Sequence, residues 1–478
     1  MKHKKSYRYL VILVFLIAIS IVIRFKSYLF SSVPLWYDHG MYRAFFSIIQ
    51  NNLPYINFEQ LPVWIKSTYE PFSGLFYITF QSILWVSVDG FLLRWVWFIH
   101  IIISVFIYLL LKKYSKTAAI IGILLYLSSI AQYQVFRRWY LKQMIWIIFI
   151  LTAYYLIEKK SYRLLIPILA WLFTVNRAGG LFFLFSFVVY KFIIYKKTKS
   201  ISLKYIWPII IAWLLSLLIY RPVLREQVLS MFWPMFGQIF IREKSGTFFD
   251  KSWYIWYNII LIFLSIFWCI VWWKKHFSKD IPMELVWFEV GILRWWLQLF
   301  FYNRMLGYLD IFVIILAAYG LSYFILSKNK IWKSIGIWLY VLQLFFFVWY
   351  VNRFSFPLMI PKEFKSIRQI PDSIKPYSKI MVTGRKYSAF LMWYASHNII
   401  APWLFDLNKW DENQRTLWHK WDGDTKCKLL NALNKIDRPD YLWIWSLQPF
   451  EQLSWNKCFK KILWDDTYWF YQITYPDA

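Results

Sequence analysis

The sequence predicts an all-α polytopic membrane protein with about eleven transmembrane helices and a small C-terminal extracytoplasmic α/β domain. Hydrophobic residues make up 60% of the 478 residues, and aromatic residues make up 23%. Apolar runs of roughly twenty residues recur along the first three quarters of the chain, which is typical of membrane-spanning helices. The composition then becomes mixed, so we divide the chain into a transmembrane module, 1–352, and a soluble domain, 353–478.

The distribution of positive charge predicts the topology. The formal net charge is +30, but the lysines cluster between apolar runs, where they set helix orientation and meet anionic lipid. We therefore expect membrane lipid, and not nucleic acid, as the partner of this charge. The basic segment 1–8 precedes the apolar run 9–27 without a small-residue cleavage site, which predicts an uncleaved first span and a cytoplasmic N-terminus.

The apolar stretch 74–88 decides the remaining orientation. If it crossed the membrane, three successive lysine clusters would face outward, whereas an interfacial or re-entrant helix keeps every cluster inside. We adopt the second topology, which places the C-terminus outside the cell membrane and creates outer loops at 28–90 and 221–253. The other predicted spans are 91–111, 117–135, 143–158, 164–176, 179–195, 205–220, 254–273, 281–303, 306–327 and 334–352.

The C-terminal domain follows a proline-rich linker. Three short apolar runs, 379–383, 398–401 and 441–445, alternate with polar, helix-compatible stretches, and this alternation predicts an α/β domain. Cys427 and Cys458 can form a disulfide only if they are close in space and the domain is extracytoplasmic. The linker prolines are Pro357, Pro361, Pro371 and Pro376.

The predicted outer face carries few carboxylates among many arginines. Asp38 and Glu70 lie in the first outer loop, and a carboxylate at the mouth of a helical bundle is a functional candidate. Arginine forks bind phosphate bidentately and stay charged near lipid, so several of them favour an anionic lipid head group. A carboxylate near such a phosphate can accept the proton of an incoming hydroxyl group while the basic residues stabilise the departing phosphate. The candidate arginines are Arg43, Arg138, Arg177 and Arg304.

The order of these features resembles the polyprenyl-phosphate-sugar-dependent glycosyltransferases of the C superfamily, which include protein O-mannosyltransferases and the aminoarabinose transferases that act on lipid A. Asp38 and Tyr42, followed by Glu70 and Pro71, match the order of the family's first outer loop. The resemblance covers residues 9–325. The other matching positions are Asn52, Pro54, the helix 75–88, Gly90, Arg94, Arg138, the turn 176–179, Arg304 and Tyr308.

This resemblance implies an enzyme that moves a sugar from a polyprenyl-phosphate donor to an extracytoplasmic glycan, lipid or protein acceptor, with inversion. Asp38 would deprotonate the acceptor hydroxyl group, and Glu70 would position the sugar or the partners of Asp38. The four arginines would hold the lipid phosphate. The supporting residues are His39, Tyr42, Gln143 and Tyr308.

Two positions depart from the family pattern. His39 follows Asp38 where the family often has a second acidic residue, and Gln143 stands where an acidic residue is expected after Arg138. The sequence therefore favours no metal cofactor, and a divalent metal is an alternative that these residues do not support. A single base and a good phosphate leaving group suffice for an inverting displacement.

Simpler roles stand beside the catalytic ones. Asp38 can cap a helix or pair with Arg43, and Glu70 can be an ordinary acid at a helix start. Arg177 and Arg304 can extend to the outer leaflet. A transporter or flippase for lipid-linked glycans, or a non-catalytic assembly protein, would need the same basic surface without a base. His100, inside a predicted span, is expected to be a structural histidine of the bundle.

The balance of tryptophan and glycine supports a separate hypothesis about translation. The chain has 32 Trp and 14 Gly, although average glycine usage is about 7% and glycine is frequent in membrane spans. Some bacterial lineages read the codon UGA as glycine, so a standard translation would show those positions as tryptophan. Trp171 stands where the family usually has a small residue. The alternative is an unusually thick belt of aromatic residues at the membrane interface. The codons used for tryptophan in the gene would distinguish these two explanations.

Overall fold

A computed structural model shows a bundle of apolar helices followed by a small sheet, in agreement with the predicted mostly helical fold class. Each predicted span contains a helical segment. The structure describes residues 15, 17–26, 28–29, 33, 38–51, 78–79, 81–138, 141–175, 177–199, 204, 206–216, 251–276, 283–296, 302–357, 359–375, 378–382, 387, 390–391, 398–400, 423–433, 438–445, 457–464 and 468–475.

The helices follow the apolar runs closely because each run can satisfy its own backbone hydrogen bonds only as a helix in lipid. Residues 17–26 are also helical. The labelled helices are α1 (Asp38–Asn51), α2 (Trp97–Lys112), α3 (Lys116–Leu127), α4 (Ile130–Arg137), α5 (Leu141–Glu158), α6 (Tyr162–Val175), α7 (Arg177–Thr198), α8 (Ile206–Ser216), α9 (Lys251–Tyr257), α10 (Ile259–His276), α11 (Met283–Trp296), α12 (Tyr302–Ile325), α13 (Lys330–Phe354), α14 (Pro361–Gln369) and α15 (Gly423–Asn431).

Three helices within the described residues are long and apolar enough to cross a membrane: α5, the part Leu306–Ile325 of α12, and α13. The count rises to five if each of two bent pairs crosses as one span. One pair is Val88–Trp95 with α2, which meet at 56°, and the other is α3 with α4, which meet at 50°. The number of about eleven spans therefore stays a prediction, because helices such as α6, α8 and α10 are apolar but shorter.

The predicted continuous span 117–135 is wrong in one respect, because the helix is broken at Ser128 and Ser129. Ser128 Oγ donates a hydrogen bond to Leu124 O at 2.8 Å, and Ser129 Oγ accepts one from Gln132 N at 3.1 Å. Ser129 is therefore the N-cap of α4. Hydrophobic periodicity cannot reveal this break, since the serines are short and the flanking segments are both buried.

Lys113 marks one end of the bundle, which we call the Lys113 end. Its ammonium group forms ion pairs with Glu158 at the end of α5 and, at 3.4 Å, with Glu284 at the start of α11. Tyr114 packs edge-on against Tyr319 of α12, with ring centroids 5.1 Å apart. These contacts bring together helix ends that the predicted topology places on the lysine-rich, cytoplasmic side of the membrane.

Helix α12 lies in the middle of the bundle. The segment Leu306–Ile325 is almost entirely buried, and it packs against α3, α10, α11 and α13. Gly320 allows α12 to approach α10 closely, because a Cβ atom at this position would overlap the carbonyl oxygen of Leu264.

We expect Gly320→Ala to lower the free energy of unfolding by about 1–3 kcal/mol, because the added methyl group meets rigid backbone. Thermal unfolding of the purified protein in detergent measures this loss as a lower Tm. Leu326→Ala is the control, since Leu326 directly follows α12 and is 60% exposed. An unchanged Tm for Gly320→Ala would contradict the close helix contact.

The described part of the C-terminal unit contains the strands β1 (Lys379–Val382), β2 (Asn398–Ile400), β3 (Tyr441–Trp445), β4 (Phe459–Trp464) and β5 (Tyr468–Ile473). They form a mixed sheet with the strand order β2-β1-β3-β5-β4. The first strand pairs in parallel with the second and third, and the fifth pairs antiparallel with the third and fourth. The three predicted strands are confirmed. The hairpin of β4 and β5 was not predicted. The adjacent lysines in β4 and the run of aromatic residues in β5 obscure the alternation of apolar and polar residues that is typical of a strand.

Cys427 and Cys458 form a disulfide that joins α15 to the residue before β4, with Cα atoms 6.1 Å apart. This separation lies in the range usual for disulfides.

Candidate active site

The first candidate region is the N-terminal turn of α1, which begins at Asp38. A carboxylate at this position is favoured by the positive end of the helix dipole. The side chain of Asp38 and the whole of Glu70 lie outside the described part of the chain. Tyr42, one turn later, is buried and packs against Phe46 with ring centroids 5.8 Å apart.

His39 lies beside Asp38 in the sequence and is fully buried. Burial, and then the positive charge of Arg43, lower the pKa of His39 to about 3. The imidazole is therefore neutral at pH 7. It can take part in hydrogen bonds, but it adds no positive charge beside a lipid phosphate.

The low pKa of His39 predicts a loss of stability in mild acid. Below its unfolded-state pKa of about 6.5, the unfolded chain binds a proton that the folded chain does not bind until the pH approaches 3. The free energy of unfolding should therefore be lower at pH 5.5 than at pH 7.5 by about 1 kcal/mol from this group alone. In His39→Asn, the difference in Tm between these pH values should shrink; an unchanged difference would contradict the neutral buried state.

Arg43 forms an ion pair with Asp89, a residue that the sequence analysis did not single out. Arg43 Nε donates to Asp89 Oδ1 at 2.6 Å, and the two side chains are 28% and 36% exposed. Asp89 lies in the helical turn Val88–Gly90, which Ser87 caps by accepting a hydrogen bond from Gly90 N. An exposed pair of this kind adds only about 0–1 kcal/mol of stability. Its main effect is to join α1 to the segment that leads into α2.

The other predicted phosphate ligands lie at helix ends. Arg138 directly follows α4, is half-buried, and adjoins Arg137. Arg177 is the first residue of α7, and Arg304 lies in the first turn of α12, although the side chains of these two fall outside the described part. Because successive helices reverse direction, these helix ends, like the Arg43–Asp89 pair, lie away from the Lys113 end.

Two supporting residues have different environments. Gln143 is half-buried near the start of α5. Tyr308 is buried in the bundle, and its ring centroid lies 4.3 Å from that of Trp146. Tyr308 therefore contributes to the packing between α5 and α12.

A buried polar network at the bend between α3 and α4 was missed by the sequence analysis. Asp310 of α12 is fully buried and accepts hydrogen bonds from Ser129 Oγ at 2.7 Å, Gln132 Nε2 at 3.0 Å and Tyr254 Oη at 3.0 Å. One carboxylate thus joins α12, α4 and α9. A buried charged group requires such partners.

Arg24, from the first helical segment, lies at the same bend and is buried. Its Nη1 donates to Tyr126 O at 2.9 Å and to Leu127 O at 3.0 Å. His100 Nδ1 lies 3.4 Å from Arg24 Nη2 and 2.6 Å from Tyr126 Oη, so His100 has the structural environment expected of it. The available sequence signal was a charged residue inside an apolar span, namely Arg24 in 9–27 and Asp310 in 306–327.

No group of three or more His, Cys, Asp or Glu side chains in the described residues is arranged to hold a metal ion. Among the described side chains, the candidate region offers the neutral imidazole of His39 and the guanidinium groups of Arg43 and Arg138.

This helical arrangement is shared with solved membrane transferases. The apo oligosaccharyltransferase of Archaeoglobus fulgidus matches with a TM-score of 0.63 and 10% identity, over 96% of this chain and 74% of that chain. ArnT from Cupriavidus metallidurans bound to undecaprenyl phosphate matches with a TM-score of 0.58 and 14% identity, over 97% of this chain and 98% of that chain. The chain therefore shares the helical fold of these two transferases.

The shared fold agrees with the fold that the resemblance in the sequence motifs predicts. A second Archaeoglobus fulgidus structure, AglB in complex with an inhibitory peptide and a dolichol-phosphate, has a TM-score of 0.60 and 12% identity, over 92% of this chain and 69% of that chain. No family model matches the sequence, and no curated protein matches it. The likeness therefore lies in the placement of helices.

Proposed function

We propose that this chain is an integral membrane glycosyltransferase that transfers a sugar from a polyprenyl-phosphate donor to an extracytoplasmic acceptor. The main support is the fold shared with ArnT bound to undecaprenyl phosphate, which extends over nearly the full length of both chains. The second support is the placement of Arg138, Arg177 and Arg304 on helix ends away from Lys113. Arginine at this position suits a lipid phosphate at the membrane interface.

In the proposed reaction, Asp38 accepts the proton of the acceptor hydroxyl group while that oxygen attacks the anomeric carbon of the sugar. The bond between this carbon and the phosphate oxygen breaks, and its electron pair leaves with the polyprenyl phosphate. The arginines stabilise the negative charge that develops on this phosphate. Attack opposite the leaving group inverts the configuration at the anomeric carbon. Glu70 positions the sugar or the partners of Asp38.

The acceptor is a glycan, a lipid or a protein on the outer side of the cell membrane. The C-terminal sheet is the proposed acceptor-binding part of the chain. Its Cys427–Cys458 disulfide supports an outer location, because disulfides persist in oxidising compartments.

The test is sugar transfer by purified protein in lipid nanodiscs supplied with radiolabelled polyprenyl-phosphate monosaccharides. Release of polyprenyl phosphate together with transfer of the label would support the enzyme. Saturable binding of polyprenyl phosphate without turnover of any donor would instead favour a flippase for lipid-linked glycans or a non-catalytic assembly protein.

A further inference from the structure

Helix α4 is too short to be stable by itself, so its orientation depends on contacts with other helices. It has eight residues, and isolated helices of this length are marginal even in favourable sequences. It follows the 50° bend after α3 and ends at Arg137, directly before Arg138. The direction of α4 therefore decides where this pair of arginines lies.

Carbonyl groups at the bend accept hydrogen bonds from side chains of distant parts of the chain. Arg24 binds Tyr126 O and Leu127 O, and Gln343 of α13 donates to Ser128 O at 2.9 Å. Unsatisfied backbone groups are costly inside a membrane. These hydrogen bonds therefore stabilise the bent form over a straight helix.

The start of α4 is held by α12. Ser129 Oγ and Gln132 Nε2 both donate to Asp310 Oδ2, and Gln132 Nε2 also donates to Gly307 O at 2.8 Å. The other carboxylate oxygen of Asp310 accepts a hydrogen bond from Tyr254 Oη of α9. Asp310 thus connects α4, α9 and α12 at one point.

The end of α4 is also fixed. Gln134 Nε2 donates a hydrogen bond to Tyr350 Oη of α13. The ring of Tyr350 packs edge-on against Tyr133 and Tyr257, with centroids 6.3 and 5.0 Å away. Both ends of this short helix therefore have side-chain partners on other helices.

We propose that Asp310 and Arg24 are positioning residues that fix the bend and thereby direct Arg137 and Arg138 toward the phosphate of the lipid donor. The identity of that ligand rests on the proposed function, whereas the role of the network in holding α4 does not. The two parts are measured separately.

The first measurement is hydrogen–deuterium exchange of the protein in nanodiscs without added lipid phosphate. In Asp310→Ala, we expect faster exchange in peptides covering 128–138 and unchanged exchange in those covering α5. The matched control is Glu284→Ala, which removes a buried carboxylate at the Lys113 end and should leave 128–138 unchanged. Asp310→Asn keeps the side-chain shape and one acceptor oxygen, so it provides a milder variant if the alanine protein does not fold.

The second measurement is the affinity of each protein for tritiated undecaprenyl phosphate. Asp310→Ala should weaken binding about ten-fold, the effect of losing hydrogen bonds that hold a charged site in place. In a protein in which Arg137 and Arg138 are both alanine, adding Asp310→Ala should change the affinity less than about two-fold. The reason is that Asp310 acts through these arginines, so the effects of the substitutions are not additive.

The outcomes separate the two proposals. The positioning role would be overturned if the affinity losses caused by Asp310→Ala and by the two arginine substitutions added fully. It would also be overturned if Asp310→Ala made exchange faster evenly over the whole bundle. If the parent protein binds no undecaprenyl phosphate while exchange rises only in 128–138, the network still positions α4 and the proposed ligand is wrong. Ten-fold weaker binding with local exchange supports both.

Trp85 carries an independent inference. Its backbone φ is 55°, its side chain is 93% exposed, and its N–H donates to Ser82 O at the end of a helical segment. Lys160 and Lys199 share this left-handed conformation, also at helix ends. Glycine is favoured at such a position, and a bulky aromatic residue there is an outlier.

Buried tryptophans in the described structure show a second anomaly. The indole N–H groups of Trp146, Trp287 and Trp443 are buried without a hydrogen-bond partner within that part of the chain. Buried indole N–H groups usually find a partner. The whole chain also has 32 Trp against only 14 Gly.

We infer that Trp85 is glycine in the native protein, encoded by UGA in a host that reads this codon as glycine. The test is to read codon 85 in the gene and to sequence the peptide covering residue 85 by mass spectrometry of protein from the source cells. A UGA codon and a glycine in the peptide are expected. A UGG codon, or a tryptophan in the peptide, would overturn the inference.

Discussion

Asp38→Asn is expected to lower kcat for sugar transfer by at least about a hundred-fold, since a positioned general base contributes about 10²- to 10⁴-fold. The amide has nearly the same shape as the carboxylate but cannot accept the proton of the acceptor hydroxyl group. Binding of polyprenyl phosphate should be unchanged, because the proposed phosphate ligands are arginines. Radiolabelled transfer in nanodiscs measures the first quantity, and equilibrium binding of the lipid phosphate measures the second.

The control for Asp38→Asn is Asp372→Asn, an exposed carboxylate beyond α14, which should transfer at the parent rate. Parent-like turnover by Asp38→Asn would remove Asp38 as the base. Loss of transfer together with loss of lipid binding would point instead to a structural role at the start of α1.

Arg138→Ala is expected to lower kcat/KM for the donor by about 10²- to 10³-fold, the usual cost of removing one group that stabilises developing negative charge. Arg138→Lys should recover only part of this loss, because an ammonium group keeps the charge but lacks the planar fork that matches phosphate. Steady-state kinetics with varied donor concentration measure both effects.

Arg163 supplies a matched control for Arg138. It is exposed and lies near the start of α6, the helix that follows Glu158 at the Lys113 end, so Arg163→Ala removes the same charge far from the proposed site. Equal kinetics for the two alanine variants would show that Arg138 does not contact the donor phosphate.

Much of the fold could be predicted from local sequence. The predicted span 143–158 matches α5, and the short runs at 379–383 and 441–445 match β1 and β3. Such elements depend mainly on the composition and period of their own residues. The pairing of β4 with β5, and the antiparallel placement of β5 beside β3, depend on contacts between segments and could not be predicted in the same way.

The candidate site was only partly predictable for the same reason. Asp38 and Arg138 could be selected because they flank apolar runs on the predicted outer face. The partner of Arg43 could not, because Asp89 lies 46 positions later and nothing in the sequence between them requires the two to meet. Tyr308 was expected to support the site, but its contact with Trp146 places it in the bundle core.

The sequence by itself determined that this chain is a helical membrane protein with a mixed C-terminal unit, because transfer into lipid depends on the composition of each segment. It also determined the surplus of arginine over carboxylate on the predicted outer face. Only the tertiary structure decided where the helix 117–135 breaks and which buried groups stabilise the break. Ser129 and Asp310 are 181 positions apart, so their hydrogen bond exists only because the packing of α12 brings a carboxylate to an otherwise unstable bend.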